Sequence, residues 1–269
     1  MNELENQQQG EQVEEQEPEF SHSDKLVGVF SEPGKTFASI AKFPIKTIDW
    51  ALPVLAMLVM FIISQFIMMG NPQLRNEMNK QQLEVMEKQL NIQIEQGTLT
   101  QDEADKKLQQ IEEQMNGPIG IISKSIGILV FGFISYLVIA GLYFLFIKFI
   151  FKADGTYKHV LVTNGLTSYI TIISIILATI LSLISEKLSN DVSVASLFSI
   201  NTKTFVGFLL AKLDVFSIWV FFVIALGMTK LFNAGDSKKY YYFVFGAWII
   251  LSFIMFFLMK SVPFLQDFA

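Results

Sequence analysis

The chain has 269 residues, of which 52% are hydrophobic and 26 are phenylalanine, and its formal net charge is −5. A soluble domain of this size cannot bury so much apolar surface, whereas the hydrocarbon of a bilayer accepts it. There is no cysteine and there are only two histidines, which excludes disulfides, thiolate chemistry and multi-histidine metal sites. The composition therefore indicates an integral membrane protein, and we expect no cofactor and no metal.

The first 49 residues divide into two parts of different composition. Residues 1–22 are rich in Glu and Gln with almost no apolar side chains, and they predict a disordered acidic tail. Residues 23–49 predict an amphipathic helix that begins near Pro33, with Ser31 as its cap. Such a helix can lie in the membrane interface on the cytoplasmic side. The alternative is a soluble cap on the end of a helix bundle.

Five apolar stretches follow and make up a membrane domain over residues 50–269. Each is long enough, at about 1.5 Å per residue, to cross most or all of the hydrocarbon core as a helix. The predicted spans are 50–70, 126–147, 160–184, 214–232 and 240–259. The predicted fold class is therefore an all-α polytopic membrane protein, a bundle of five transmembrane helices.

Lysine placement predicts the orientation of these spans. With five spans, the lysine-rich segments 35–46, 148–159 and 230–239 all fall on one side of the membrane. We therefore expect a cytoplasmic N-terminus and an extracytoplasmic C-terminus. The membrane that we expect is the plasma membrane, which in bacteria is the cytoplasmic membrane. No basic stripe interleaved with aromatic residues is present, so the sequence does not indicate nucleic-acid binding.

Residues 71–118, between the first two spans, form the largest hydrophilic insertion. The pattern predicts one helix up to a break at Gly97 and a second helix that starts with a capping box formed by Thr100 and Glu103. Short apolar stripes on both helices predict an antiparallel helical hairpin outside the membrane. Two loose helices joined by a hinge are the alternative.

The third span carries small and hydroxylated residues at helical spacing on one face. This stripe includes Asn164, Thr167, Thr171 and Ser174. Small polar residues allow membrane helices to approach closely and to hydrogen-bond, which favours a packing role in the centre of the bundle. The alternative is a polar pathway, although the stripe contains no charge. Gln65 in the first span is predicted to hydrogen-bond to the third span.

The position of Asp214 relative to the membrane depends on where the fourth helix begins. If the fourth helix begins at Phe205, the carboxylate lies near the middle of the span, at a cost of about 2.5–3.5 kcal/mol. If the helix begins at Asp214, the carboxylate caps its N-terminus, and this is the arrangement we favour. Residues 205–213 would then form a short re-entrant or interfacial segment.

Two segments carry a resemblance to a known family. Residues 29–44 read VFSEPGKTFASIAKFP, and residues 210–231 read LAKLDVFSIWVFFVIALGMTKL, with Asp214, Phe216 and Trp219 in the second. These segments resemble the opening and the fourth span of prokaryotic members of the Yip (Ypt/Rab-interacting protein) family. The resemblance implies five spans and a cytoplasmic N-terminus. Eukaryotic members bind Rab-type GTPases, but no equivalent of their tail motifs is present here.

Sequence motifs of common enzymes are absent. There is no H-E-x-x-H, no G-x-S-x-G, no phosphate loop and no pair of intramembrane carboxylates. We therefore expect a non-enzymatic Yip-like membrane protein that organises membrane or binds protein or lipid partners, and its small-residue faces are compatible with a homo-oligomer. The alternative is a small transporter or channel subunit that uses the polar face of the third span and Asp214.

Overall fold

The computed structural model describes residues 19–115, 117–232 and 237–261, and every regular element within these ranges is a helix. Over this part of the chain, the prediction of an all-α polytopic fold is confirmed. The helices are α1 His22–Ser31, α2 Pro33–Ile40, α3 Ile48–Met69, α4 Pro72–Glu95, α5 Gln101–Met115, α6 Pro118–Phe149, α7 Tyr157–Ser185, α8 Val194–Leu197, α9 Phe205–Ala211, α10 Val215–Leu231 and α11 Lys238–Ser261.

Four helices of the described ranges, α3, α6, α7 and α11, are long and apolar enough to cross a membrane. The pair α9 and α10, bent by 58° at a short break, provides a fifth crossing if it is counted as one span. Helix α6 begins at Pro118, well before the predicted span start at residue 126. Lys124 does not interrupt it, because helical hydrogen bonding continues beyond the part of a helix that lies in hydrocarbon.

Helix α7 lies at the centre of the bundle and runs parallel to α3. Gly165 of α7 lies against the backbone of Trp50 near the start of α3, and the hydroxyl groups of Ser64 and Thr179 are 2.6 Å apart near the other end. Antiparallel α6 packs alongside, with the Tyr136 hydroxyl donating to a carbonyl of α7 at 2.6 Å. The main apolar core surrounds the first half of α7.

The N-terminal segment forms two helices where one was predicted. Helix α1 starts with a capping box between Ser21 and Asp24. It runs to Ser31, whose hydroxyl donates to the Val27 carbonyl, while α2 has Glu32 at its N-cap without a side-chain cap bond. The prediction that Ser31 caps the second helix is therefore wrong, because that residue completes the first. Of the predicted tail over residues 1–22, residues 1–18 lie outside the described residues.

The apolar sides of α1 and α2 face the protein. Val29, Phe37 and Ile40 are buried and belong to the main core around α7. This is the arrangement of a cap on the end of the bundle. We refer to residues 19–47, which comprise α1, α2 and the segments that flank them, as the N-terminal cap.

Helices α4 and α5 form the predicted hairpin. The Thr100 amide donates to the Glu103 carboxylate at 2.9 Å, and the Glu103 amide donates to the Thr100 hydroxyl at 3.4 Å. Between the helices, Gly97 adopts a φ of +70°, a conformation that glycine reaches without steric cost. Leu90 and Ala104 are buried, one on each helix. The hairpin therefore has its own small apolar contact and a defined turn.

The contact of α3 with α7 generates a prediction about Gly165. A Cβ atom at this position would lie 2.7 Å from the Trp50 Cα, so the two helices would have to separate. We expect Gly165→Ala to lower the free energy of unfolding by about 1–3 kcal/mol. The measurement is thermal unfolding of the detergent-solubilised protein followed by circular dichroism.

Gly141 of α6 provides the matched control, because a Cβ atom there meets no heavy atom within 4 Å. Gly141→Ala should leave stability unchanged or raise it, since alanine is the better helix former. Equal unfolding temperatures for the two variants would contradict the close packing of α3 on α7.

Candidate functional site

A buried ion pair joins the N-terminal cap to the first span. The Lys25 Nζ atom of α1 lies 2.8 Å from the Asp49 Oδ2 atom, and the two side chains are only 5% and 2% exposed. Asp49 occupies the first turn of α3 and also accepts a hydrogen bond from the Lys46 backbone amide at 3.3 Å. A buried charge is tolerated only when it is paired and hydrogen-bonded. The pair therefore fixes the position of α1 relative to the membrane domain.

His22 extends this cluster from α1 to α7. Its Nε2 atom lies 2.8 Å from the Tyr169 hydroxyl, and its Nδ1 atom lies 3.5 Å from the Asp49 Oδ1 atom. Nδ1 is buried and has no hydrogen-bond partner. The imidazole thus lies between α3 and α7, beside the Asp49 carboxylate. Among the described residues, no group of three or more acidic or histidine side chains is arranged to hold a metal ion.

An exposed pair covers the buried cluster from the solvent side. The Lys46 Nζ atom lies 2.9 Å from the Glu19 carboxylate, and Glu19 is also 3.7 Å from Lys25. The hydrogen bond from Lys46 holds the pKa of the Glu19 carboxyl below its usual value, and the same contact raises the pKa of Lys46. Both groups are therefore charged at neutral pH. They add a second, solvent-screened layer to the attachment of the cap.

Aromatic contacts attach the cap to the fourth span. Phe30 of α1 packs edge-on against Trp219 of α10, with ring centroids 5.7 Å apart. The Phe37 ring fits against Gly227, where an added Cβ would lie 3.0 Å from it. Trp219, a candidate residue from the sequence, is therefore a contact between the cap and α10. The absence of a side chain at Gly227 makes room for the α2 aromatic ring.

The cap lies at the same end of the bundle as two lysine-rich connections. In the connection before α7, the Phe151 ring packs on Tyr240 at 5.3 Å and lies 5.3 Å from the Lys239 ammonium. Phe232, at the end of α10, fits against Gly155. The same end carries a group of exposed lysines from three different segments. These are Lys35, Lys46, Lys152, Lys158, Lys230 and Lys238.

Asp214 caps α10 as the sequence predicts. Its carboxylate accepts hydrogen bonds from the amides of Phe216 and Ser217, both at 3.2 Å, and from the Ser217 hydroxyl at 2.5 Å. The side chain is buried, but its oxygens are satisfied at a helix N-terminus, where negative charge is favourable. Helix α9 precedes it as a separate short helix. Asp214 is therefore placed as a structural residue.

The polar stripe of the third span is directed into the protein and largely satisfied within α7. The Asn164 amide donates to the Val160 carbonyl at 2.9 Å, and the Thr167 hydroxyl donates to the Asn164 carbonyl at 2.7 Å. Thr171 follows the same pattern at 3.5 Å, and Ser174 is half-buried. Side chains that donate to the preceding turn are compatible with tight packing. The geometry supports the packing role of this face.

The Gln65 side chain does not lie in the contact between α3 and α7. The hydrogen bond between these helices comes from its neighbour Ser64, which bonds to Thr179. One residue changes the helical direction by about 100°, so Gln65 is rotated away from α7. It lines a cleft beside the hairpin together with Lys124. The prediction identified the correct pair of helices but the wrong side chain.

Sequence reasoning missed the pair of Lys25 and Asp49, although one signal was available. Asp49 stands directly before the apolar run of the first span, where an unpaired carboxylate is costly. Several lysines precede it, and no periodicity distinguishes which one pairs with it. Lys25 is 24 residues away, so only the fold of the cap brings it to the carboxylate.

The arrangement defines a class of protein: a polytopic helical membrane protein whose N-terminal cap is docked by charge and aromatic contacts onto the bundle. The Yip1 domain family matches residues 27–259, a range that includes most of the cap and all of the predicted spans. The chain therefore belongs to the Yip1 domain family, and the resemblance to this family, though not to its prokaryotic members in particular, is confirmed. No curated protein and no solved structure shows a significant match.

The buried ion pair generates a prediction about cap docking. Lys25→Met leaves the Asp49 carboxylate buried and without its main partner, a change that costs about 3–5 kcal/mol in other buried pairs. We expect the cap to open more often, so a single cysteine introduced at the buried Val29 should react with a thiol reagent about tenfold faster or more. The chain contains no other cysteine.

Lys35 and Glu32 provide the control pair, because their charged atoms are also 2.8 Å apart but the side chains are 75% and 57% exposed. Lys35→Met should change the labelling rate little, since exposed pairs contribute less than about 1 kcal/mol. The double variant Lys25→Met with Asp49→Leu should recover much of the protection. Equal rates for the variants at positions 25 and 35 would contradict the docking role of the buried pair.

Proposed function

We propose that this protein is a non-enzymatic membrane protein that organises membrane or binds protein and lipid partners through its N-terminal cap. The observation that carries the proposal is the buried pair of Lys25 and Asp49, which holds α1 and α2 in one position on the bundle. A segment that is fixed in this way presents a preorganised surface, and preorganisation lowers the entropic cost of binding.

The charge of this end of the bundle supports a role in recognition. Exposed lysines of the cap lie at the same end of the bundle as those of the connections before α7 and α11. Such a surface attracts anionic lipid headgroups and acidic protein segments. Val27, on the outer side of α1, is 61% exposed and adds an apolar contact point to the charged surroundings.

The orientation that we propose places this surface in the cytoplasm. Lysine-rich connections are retained on the cytoplasmic side of membranes, and the three lysine-rich segments meet at one end of the structure. The hairpin of α4 and α5 then projects from the opposite side. The lysine-rich composition is consistent with a bacterial cytoplasmic membrane as the location.

The polar side chains in the interior of the bundle argue against a transport function. The hydroxyl and amide groups of the α7 stripe bond to carbonyls of their own helix, and no acidic or basic side chain lies among them. A substrate or ion route through a membrane protein normally includes an ionisable residue.

A transporter or channel subunit remains the second candidate, and the break between α9 and α10 is the observation that favours it. The two helices meet at 58°, and discontinuous helices build substrate sites in many transporters. Asp214 lies at this break. However, its carboxylate is engaged with amides of α10, as expected for a cap rather than for a coupling site.

Photocross-linking in intact cells tests the proposed function. A benzophenone amino acid is placed at the exposed cap positions Val27 and Lys35, and at the control positions Phe131 and Leu142, which are exposed on α6. We expect discrete adducts with protein or anionic lipid from the cap positions that the control positions do not form. Lys25→Met should reduce these adducts, because the cap is then no longer held in its binding geometry.

Identical adducts from all four positions would remove the support for a binding surface on the cap. Proteoliposomes that contain the purified protein provide the opposing measurement. Proton and potassium flux, followed with a trapped pH dye under an imposed potassium gradient, should equal that of protein-free liposomes. A robust flux that saturates would overturn the proposal in favour of the transporter.

A further inference from the structure

A cleft lies at the end of the bundle opposite the N-terminal cap, between the base of the hairpin and the two spans that it connects. Its volume is about 410 Å³, within the range of small-molecule sites. One wall is formed by α3 and α6 and the other by α4 and α5. Most of the lining is apolar and rich in methionine, with Ile62, Phe66, Met69, Met78, Met86 and Met115 among the residues.

Lys124 is the single charged residue among the described residues that line this cleft. Lys124 lies about 9 Å along α6 from Pro118. Gly132 of α6 lies against Leu58 of α3. Because α6 and α3 are antiparallel, Lys124 is therefore level with the last turns of α3. Gln65 and Gln82 line the same cleft. A cation at the edge of an apolar cleft in a membrane is costly, and an anion in the cleft would offset that cost.

A second cavity of about 840 Å³ adjoins the first and shares Gln65, Met78, Gln82 and Lys124 with it. This cavity is more polar, because the connection from residue 187 to residue 203 forms its far side. Lys124 therefore lies at the boundary between an apolar space and a polar space. Such a pair of spaces fits a molecule with an apolar chain at one end and a charged group at the other.

The second cavity is also lined by three acidic residues, which have partners of their own. Glu84 lies 3.9 Å from the Lys80 ammonium. Glu77 accepts a hydrogen bond from the Leu188 amide at 3.4 Å. Asp191 accepts from the Ser193 amide at 3.0 Å and from the Ser196 hydroxyl at 2.5 Å. These contacts direct the carboxylates of Glu77 and Asp191 to the chain around residues 188–196. Two further lysines of the same cavity, Lys187 and Lys203, add positive charge on the polar side.

We propose that the cleft binds an anionic phospholipid, with its phosphate beside Lys124 and an acyl chain in the apolar cavity. Hydrogen bonds between an ammonium group and a phosphate are the strong, charge-assisted kind. Methionine side chains adapt to a flexible chain, and they supply much of the hairpin's side of the cleft. The proposal is independent of the function assigned to the N-terminal cap, which lies at the other end of the bundle.

Titration of the delipidated, detergent-solubilised protein with palmitoyl-oleoyl phosphatidylglycerol, read by native mass spectrometry, tests this site. Phosphatidylcholine with the same chains is the comparison lipid. We expect phosphatidylglycerol to bind more tightly and Lys124→Gln to weaken it about tenfold, the effect of losing one charge-assisted hydrogen bond. Lys124→Arg should retain most of the affinity. Lys106→Gln, on the exposed side of α5, is the matched control and should change nothing.

Glycerol 3-phosphate and oleate distinguish the parts of the ligand, and both should bind more weakly than the whole lipid. Ile62→Trp, which fills the apolar cavity, should weaken both phospholipids alike and provides a second test if the variants of Lys124 do not fold. Equal binding of the two phospholipids, or the same loss in Lys124→Gln and Lys106→Gln, would overturn the proposal. Binding of glycerol 3-phosphate as tight as that of the phospholipid would also overturn it, because the cleft would then be a site for small anions.

Discussion

The close parallel contact of α3 with α7 is the constraint on which the rest of the structure depends. Helices in lipid gain little from hiding apolar surface, so they associate through close packing and hydrogen bonds. Gly165 allows the α3 backbone to approach near Trp50, and the hydroxyls of Ser64 and Thr179 join the helices at the other end. With α3 fixed along α7, Asp49 at its start is held at the surface on which the cap docks.

The cap completes the bundle because its contacts combine charge with aromatic packing. The carboxylate of Asp49 needs a cation, and Lys25 supplies one from α1. Phe30 and Phe37 bring the same two helices against α10. The N-terminal segment is thereby attached to the first, third and fourth spans, and its lysines join those of the short connections. A fixed geometry and positive charge are thereby combined at this end of the protein.

Local signals predicted much of the fold because they act over a few residues. The capping box of Thr100 and Glu103 and the cap of Asp214 depend on side chains within one helical turn, so spacing alone identifies them. Lys25 pairs with Asp49 across 24 residues, and no local pattern selects it from the other lysines. At Ser31 a local pattern gave a wrong prediction. A serine just before Pro33 fits the pattern of a helix start, but Ser31 completes α1 instead.

In the candidate site, too, local patterns predicted some features and not others. The polar stripe of α7 was visible because helical periodicity places its members on one face, and its packing role follows from small polar residues in lipid. Gln65 was assigned to the correct helix pair, but one residue of helical rotation turns it toward the cleft that contains Lys124. That cleft depends on how the hairpin returns to the spans. Its existence therefore could not be predicted from either segment alone.

The most direct test of the account is the accessibility of single cysteines in intact cells, since the chain has no cysteine of its own. Positions Ser23, Asp154 and Ser237 are exposed at the capped end, and Gln110 and Thr202 are exposed at the hairpin end. An impermeant thiol reagent should label only the cysteines at Gln110 and Thr202. Labelling at Ser23, Asp154 or Ser237 would contradict a cytoplasmic cap and the five-span arrangement that places it there.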